Sequence, residues 1–481
     1  MKQKLILATI VVLALFLRIN RLEQNLIFTG ETGQTYLEVR DALIDGKLPL
    51  RGLSTSHSWL SFGPWYYYLL MVSFKLFGYH PNVPAYMSAL FSTAGVILVY
   101  LAVKESGSKR KSMVAALLAA TSPAYLTLSR DGRFYTLAVY LALAVFIFAV
   151  KYYRTGSLNR LEIFLGGLSL GLAVSIHWSG LIIFPGLLWI LIKNKNRIKA
   201  GWGALGFLLP FIPLLIYDAR YSFSMTGKIL AWLPYRILTT IGIINTGSFR
   251  PGSSEIFTAI TEFFQSVVNP IGLNGAVLTA IFCVYSILLI RRKDIIGMTA
   301  IFLWGGIISI MLHGQPPLHY FAPVLPFAFL LYADFIGRLV LISRGTFWRV
   351  FSLIMLSGLF FFQAKFLFSD KWFYIKQAAT GDKPVPYALQ EDLAKKIVNE
   401  AAGKEFSLKR VGPFDIYQEN FSQNYRYLMW MYGNEPLVGR KTNLVYTIYD
   451  DPKGLPLGAE SSSTIQAGNI MAVREENMDR P

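Results

Sequence analysis

Carboxylates and guanidinium groups that stand beside long apolar runs are the residues of this chain best suited to chemistry. Glu31 follows the first apolar run, and the sequence Arg130-Asp131-Gly132-Arg133 lies between two later ones. Ionisable groups at a membrane boundary are costly unless they are paired or useful. A carboxylate there can accept a proton, and a guanidinium offers a planar fork to phosphate oxygens. The structural alternative makes Glu31 an exposed loop carboxylate and Asp131 an ion-pair partner of Arg130 or Arg133.

Several other kinds of site are excluded by the sequence. It contains no glycine-rich phosphate loop and no nucleotide-binding fingerprint after a strand. Its five histidines lack the spacing of metal ligands, so we assign no metal-binding residue and no certain cofactor, and leave a divalent metal requirement open. The single cysteine, Cys283, lies inside an apolar run and predicts neither a disulfide framework nor a thiol-rich metal site.

The chain has the composition of a protein that crosses a membrane many times. It is 54% hydrophobic and 15% charged, with a mean hydropathy of +0.44. About eleven apolar runs are long enough, with their flanking residues, to be transmembrane helices. They cover residues 5–17, 85–103, 113–128, 134–150, 161–176, 179–192, 203–217, 271–290, 296–312, 321–342 and 350–366.

Lysine and arginine are concentrated in the short loops on one side of these runs. The clusters occur within residues 104–111, 151–160, 193–199, 291–293 and 338–349. The positive-inside rule assigns such loops to the cytoplasm. This bias and anionic lipid account for the formal net charge of +18, so we predict no nucleic-acid partner. We therefore predict a multi-pass protein of the plasma or inner membrane, with a cytoplasmic N-terminus and with Glu31, Asp131 and His319 on the extracytoplasmic side.

Two further apolar segments are predicted not to cross the membrane. Counting residues 59–77 as a span would move every later basic loop outside. The proline and tyrosines of this segment are typical of an interfacial helix, although Tyr66 could instead stack on a sugar. Residues 256–268 predict a second interfacial helix, capped by Ser253 or Ser254, which could border a lipid groove or simply rest on the bilayer.

The composition changes to that of a soluble protein after Phe366. We predict a transmembrane domain over residues 1–367, with a large outer first loop at 22–84, and a soluble extracytoplasmic domain over residues 368–481. In the second domain, residues 387–403 predict a helix, and residues 443–449 and 469–473 predict strands. The predicted fold class is thus an all-α polytopic membrane protein with a small C-terminal α+β domain.

Short motifs in a fixed order resemble those of one enzyme superfamily. In the first loop they are residues 28–33 (FTGETG), 40–43 (RDAL), 46–50 (GKLPL), 63–68 (GPWYYY) and 76–78 (LFG). Later motifs are Ser122-Pro123, residues 129–135 (SRDGRFY), and His319-Tyr320-Phe321 followed by Pro323 and Pro326. This order resembles the GT-C superfamily of glycosyltransferases, in the branch that contains protein O-mannosyltransferases and the lipid A aminoarabinose transferase.

The resemblance implies an enzyme that takes a sugar from a polyprenyl-phosphate carrier. It implies an inverting transfer to a hydroxyl or amine of a lipid, glycan or protein acceptor on the outer face. Such an enzyme needs a carboxylate to accept the proton of the attacking group. It also needs cations to offset the charge that grows on the departing phosphate.

Matching the motifs residue by residue gives a candidate site. Glu31 matches the acidic residue of the family's first loop and is the predicted base, although Gly30-Glu31 replaces the frequent Asp-Glu pair. Asp131 matches the acidic or polar residue of the second loop, where it orients the acceptor or shares the base role. The predicted substrate-binding residues are Arg18, Arg130 and Arg133 for phosphate, and Tyr66, His319 and Tyr320 for the carrier or its sugar. Arg18 could equally snorkel, and His319 could be structural.

Two other functions stay open at this stage. A transporter or flippase of lipid-linked glycans would place charges or broken helices near the bilayer midplane and often shows repeated halves. Here most predicted spans lack mid-depth charge, and the acids gather at one face. A glycan polymerase or ligase would share the carrier chemistry but lacks support from these motifs.

Overall fold

The computed structural model describes most of the chain. The described residues are 2–24, 26–55, 57–104, 109–133, 135–193, 200–240, 243–244, 253–268, 275–311, 318–342, 385–412, 422–440, 442–450 and 464–476, with single positions at 350, 354, 357 and 361.

These residues form a mostly helical structure with one small sheet. The helices are α1 (Lys2–Ile19), α2 (Gly30–Ile44), α3 (Trp65–Phe77), α4 (Asn82–Lys104), α5 (Lys109–Thr121), α6 (Pro123–Ser129), α7 (Tyr135–Thr155), α8 (Arg160–Ile176), α9 (Phe184–Lys193), α10 (Ala200–Leu208), α11 (Ile212–Ala219), α12 (Ser224–Thr240), α13 (Ser253–Val268), α14 (Gly275–Leu289), α15 (Ile295–Met311), α16 (Leu325–Ile342), α17 (Tyr387–Ala401) and α18 (Gln423–Met431). The strands are β1 (Ser407–Val411), β2 (Leu444–Tyr449), β3 (Thr464–Ala467) and β4 (Ile470–Glu476). Short 3₁₀ helices cover Trp178–Ile183, Leu209–Phe211 and Leu318–Val324.

The described chain contains several helices that could span a membrane. Four segments are long and apolar enough: Asn82–Lys104, Thr136–Thr155, Gly201–Ala219 and His319–Arg338. The pair α5 and α6 adds a fifth if it is one span, and shorter apolar helices occur at Trp178–Ile190, Thr279–Leu289 and Ile295–Met311. The helical, membrane-type architecture is thus confirmed, whereas the count of about eleven spans is not. The last predicted span, at residues 350–366, lies largely outside the described residues.

The predicted span at residues 113–128 is bent rather than straight. Helices α5 and α6 meet at an angle of 55°. Ser122 has extended backbone angles, with φ −60° and ψ 123°, because the ring of Pro123 disfavours a helical conformation in the preceding residue. The Ser122 side chain then caps α6 by accepting a hydrogen bond from the Tyr125 backbone N–H. The bend sets the direction of α6, which ends immediately before Arg130 and Asp131.

Helix α3 is too short to cross a bilayer unaided. Its 13 residues reach about 20 Å at a rise of ~1.5 Å per residue, against a hydrocarbon core of about 30 Å. It packs against α2, and the Phe74 ring stacks on that of Tyr427, with centroids 6.4 Å apart. That the segment lies beside the membrane rather than in it stays a prediction.

Helix α13 packs inside the bundle instead of only resting on the bilayer. Phe263 and Phe264 are fully buried. The Phe263 ring stacks on Phe321 at 4.8 Å between centroids, and Phe264 lies 5.3 Å from Phe282. An amphipathic pattern shows that one face is apolar but does not say whether lipid or protein covers it. The bilayer-resting alternative for residues 256–268 was therefore wrong for this face.

Residues 385–476 contain a four-stranded sheet of order β1-β2-β4-β3. Strands β1 and β2 are parallel, whereas β4 runs antiparallel to β2 and to β3. Helix α17 packs against β3, β4 and α18. The predicted helix and both predicted strands are present with slightly shifted ends. The predicted domain boundary, between residues 367 and 368, lies outside the described residues.

Helix α2 lies against α18 of the C-terminal part. A Cβ atom added at Gly33 would stand 2.3 Å from the backbone nitrogen of Asn424, so only glycine permits this approach. Farther along α2, Arg40 forms an ion pair with Glu435 at 2.8 Å. We call this packing the α2–α18 contact. It fixes the helix that carries Glu31 against elements from the other end of the chain.

Candidate active site

Glu31 lies in the first turn of α2. The helix is capped by Thr29, whose side chain accepts a hydrogen bond from the backbone N–H of Thr32. The positive end of the helix dipole favours a carboxylate at this position. The Glu31 side chain is 39% exposed. The helix N-terminus therefore stabilises a carboxylate that a ligand can still reach.

Arg133 faces both predicted catalytic acids. Its guanidinium donates to both carboxylate oxygens of Asp131, each at 2.7 Å. Its Nη1 lies 3.7 Å from Glu31 Oε2, a contact longer than a hydrogen bond. Asp131 is only 5% exposed. Burial raises the pKa of Asp131, and the Arg133 guanidinium opposes that rise. The structural interpretation of Asp131, as the ion-pair partner of Arg133, therefore describes its main contact.

A cleft opens beside Glu31 and Arg133, and we call it the Glu31 cleft. Its lining residues are Glu31, Thr32, Thr35, Gly52, Leu53, Phe62, Gly63, Tyr66, Tyr67, Arg133, Ile176 and His177. They come from the ends of α2, α3 and α8 and from the two loops that carry the family-like motifs. Tyr66 closes one side, with its hydroxyl 3.4 Å from the carbonyl oxygen of Gly132. The adjacent Tyr67 instead donates to Glu38 at 2.5 Å, and burial and this carboxylate raise its pKa.

His177 joins the predicted residues His319 and Tyr320 to the Glu31 cleft. It follows α8, and its Nδ1 lies 2.7 Å from Ser179 Oγ. The His177 ring centroid is 5.0 Å from that of Tyr320 and 5.7 Å from that of His319. The Phe62 ring also stacks on the His177 ring, with centroids 5.0 Å apart. No role was assigned to His177 or to Phe62 from the sequence.

Arg18 and Arg130 are not brought to the cleft. Arg18 is fully buried and donates to Ser92 Oγ and to the carbonyl oxygens of Ala14, Ala119 and Ala120. Arg130 donates to carbonyl oxygens at the end of α1, including that of Leu17 at 2.8 Å. These guanidinium groups satisfy backbone acceptors between helices. Of the three arginines predicted to bind phosphate, Arg133 is the one that lines the cleft.

The described residues contain no group of three or more histidine, cysteine, aspartate or glutamate side chains placed to hold a metal ion.

The resemblance to the GT-C membrane glycosyltransferases that the motifs predicted is confirmed by a family model over part of the chain and by solved structures. Residues 61–217 match the family model described as "Dolichyl-phosphate-mannose-protein mannosyltransferase". That segment runs from the loop before α3 to α11 and contains Asp131, Arg133 and His177. A comparison with curated protein sequences gives no match.

Solved structures share the fold at low sequence identity. ArnT from Cupriavidus metallidurans in the apo state aligns with a TM-score of 0.60 and 12% identity over 97% of both chains. The same protein bound to undecaprenyl phosphate gives 0.58 and 13% over the same coverage. The archaeal oligosaccharyltransferase AglB from Archaeoglobus fulgidus, in complex with an inhibitory peptide and a dolichol-phosphate, gives 0.54 and 13% over 89% of this chain and 63% of AglB. At these identities the likeness establishes the fold.

Proposed function

We propose that this chain is an integral-membrane glycosyltransferase that moves a sugar from a polyprenyl-phosphate carrier to a hydroxyl or amine of an acceptor. The observation that carries the proposal is the pairing of an accessible acid, Glu31, with a cation, Arg133, 3.7 Å away in one cleft. The family match over residues 61–217 and the undecaprenyl phosphate bound by the structurally similar ArnT support the choice of carrier.

In the proposed reaction the acceptor oxygen or nitrogen attacks the anomeric carbon of the sugar. The bond from that carbon to the carrier phosphate oxygen breaks as the new bond forms, which inverts the configuration. Glu31 takes the proton of the acceptor. Arg133 offsets the negative charge that grows on the departing phosphate, and Asp131 holds Arg133 in position through its two hydrogen bonds. A phosphate is already a good leaving group, so this scheme requires no second acid.

The donor is the first point to test. We expect the protein, purified into nanodiscs, to consume a radiolabelled sugar attached to a C55 polyprenyl phosphate, by transfer or by slow hydrolysis. A nucleotide sugar should not substitute in carrier-free nanodiscs, because no nucleotide-binding motif is present in the sequence. Thin-layer chromatography of the lipid fraction measures the loss of label. Robust transfer from the nucleotide sugar would contradict the proposal, and intact passage of the labelled lipid between leaflets would favour a transporter.

We further propose that the Glu31 cleft and residues 385–476 are extracytoplasmic. Lys104 and Arg154 stand at the ends of α4 and α7, and Arg160 begins α8. Asp131 precedes the start of α7, and His177 follows the end of α8, so these residues lie at the helix ends away from the basic loops. The positive-inside rule then assigns the cleft to the outer side.

Cysteine labelling tests this orientation. In a Cys283→Ser background, Lys404→Cys should react with a membrane-impermeant maleimide in intact cells, whereas Ser157→Cys should react only after permeabilisation. Both positions are exposed, so accessibility in the folded protein does not separate them. Labelling of Ser157→Cys from outside would overturn the proposed orientation.

A further inference from the structure

A second opening adjoins the Glu31 cleft, and we call it the basic vestibule. Its volume is about 570 Å³, and its wall includes Lys47, Arg51, Arg220, Tyr217, Glu38 and Tyr67. Gly52 and Tyr67 line both the vestibule and the cleft. A molecule in the vestibule is therefore next to the cleft that holds Glu31.

The vestibule has an excess of positive charge. Three cations and one carboxylate contribute to its wall, and that carboxylate, Glu38, accepts hydrogen bonds from Tyr67 and Gln34. Lys47 pairs with Asp45 at 3.2 Å, but both side chains are more than half exposed, and such a pair contributes little. Within the described part of the chain, Arg51 and Arg220 form no ion pair with a carboxylate. The wall thus offers two guanidinium groups to an anion.

Local contacts hold the segment that carries Arg51 in place. The Arg51 guanidinium lies over the Tyr217 ring, 5.1 Å from its centroid. The preceding turn is fixed by Tyr68, whose hydroxyl donates to the carbonyl oxygen of Pro49 at 2.7 Å. The Gly52 backbone N–H donates to the carbonyl oxygen of Phe62 at 2.9 Å. A guanidinium held in this way loses less conformational freedom when it binds a ligand.

The positive-inside rule, which explains the basic loops assigned to the cytoplasm, does not explain the cations of the vestibule. Arg51 lies in the first loop after α2, and Arg220 directly follows α11. Both belong to the side of the bundle that carries the Glu31 cleft, opposite the clustered basic loops. The positive-inside rule does not account for cations on that side.

We propose that the basic vestibule binds a phosphate or carboxylate group of the acceptor, so that the acceptor is an anionic sugar. The identification of this ligand as the acceptor rests on the proposed function, whereas the binding of an anionic sugar does not. An anion held by Arg51 and Arg220 positions its attached hydroxyl or amine toward Glu31 through the shared wall at Gly52 and Tyr67. The donor phosphate is assigned separately to Arg133.

Calorimetry on the full chain in phosphatidylcholine nanodiscs tests the binding directly. The probe is glucose 6-phosphate, and glucose is the neutral control. We expect the sugar phosphate to bind more weakly as salt rises, and glucose not to bind measurably. The Arg51→Gln/Arg220→Gln variant should bind the probe at least about tenfold more weakly. The matched variant, Lys75→Gln/Lys228→Gln, removes two exposed cations outside the vestibule and should bind as the unmodified protein does.

Three results would overturn the proposal. They are equal binding of glucose and glucose 6-phosphate, an equal loss of binding in both double variants, and loss of probe binding in phosphatidylglycerol nanodiscs. The last would show that bilayer headgroups, rather than an acceptor, occupy the vestibule. Undiminished binding in phosphatidylglycerol supports the acceptor. The assay needs no turnover, so a failure of the transferase proposal and a failure of this one give different results.

Discussion

Replacing Glu31 by glutamine should abolish most turnover of the polyprenyl-phosphate donor. The amide keeps the size of the side chain and much of its hydrogen bonding but cannot accept the proton of the attacking group. General-base catalysis contributes roughly 10²- to 10⁴-fold in rate, and a loss of that size is expected in kcat. Donor binding should stay nearly unchanged, because the charge of Arg133 is retained. Initial rates with a labelled donor, together with equilibrium binding of that donor, separate the two effects.

The matched control for Glu31→Gln is Asp41→Asn, which removes another carboxylate from α2. Asp41 is 59% exposed and lies outside the cleft, so its variant should retain near-normal activity. Asp131→Asn should lose less activity than Glu31→Gln, because Asp131 acts through Arg133. An equal loss in both acid variants would indicate a shared base role, which the Gly30-Glu31 departure from the family motif allows. Near-normal activity in both would remove the catalytic assignment and favour the transporter.

Replacing Arg133 by glutamine should slow the reaction on the order of 10²- to 10³-fold, the usual cost of losing one charge-stabilising donor. The loss should be larger with a poorer leaving group, because Arg133 is proposed to offset charge on the departing phosphate. Arg133→Lys should recover only part of the activity, since an ammonium cannot reproduce the two parallel hydrogen bonds to Asp131. The measurement is kcat with two carrier analogues whose phosphates differ in basicity.

Arg160→Gln is the control for the loss of charge, since Arg160 is exposed at the start of α8, at the opposite end from His177. If Arg133→Gln lowered activity only through misfolding, thermal unfolding in detergent would shift to a lower temperature. A normal kcat in a well-folded Arg133→Gln protein would contradict the role assigned to this residue.

The helical architecture could be predicted because apolar length and loop charge are local properties of the sequence. The bend at Ser122-Pro123 was missed because a continuous apolar run hides the local effect of the proline ring. Arg18 shows a second limit. Its sequence context fitted both a phosphate ligand and a snorkelling side chain, whereas the structure buries it against backbone carbonyl groups. Only the tertiary arrangement of the helices distinguishes these environments.

In the candidate site, too, local contacts could be predicted from the sequence and long-range contacts could not. The ion pair between Asp131 and Arg133 joins residues two positions apart, so sequence reasoning could consider it. The approach of His177 to Tyr320 joins the end of α8 to a 3₁₀ helix more than a hundred positions later. Neither segment contains a local signal that predicts this contact, because the contact depends on how α7, α8 and α15 pack. The order of the family-like motifs supplied the prediction for Tyr320, and no motif supplied one for His177.

The α2–α18 contact has a consequence for biogenesis. Arg40 and Glu435 are separated by 395 positions, and synthesis delivers α2 to the membrane long before α18 exists. Contacts between such distant segments form late, after the local helices. The nascent chain therefore carries Glu31 on a helix whose packing face, at Gly33, is uncovered until α18 has been synthesised. A chain that ends before α18 therefore leaves that face of α2 uncovered.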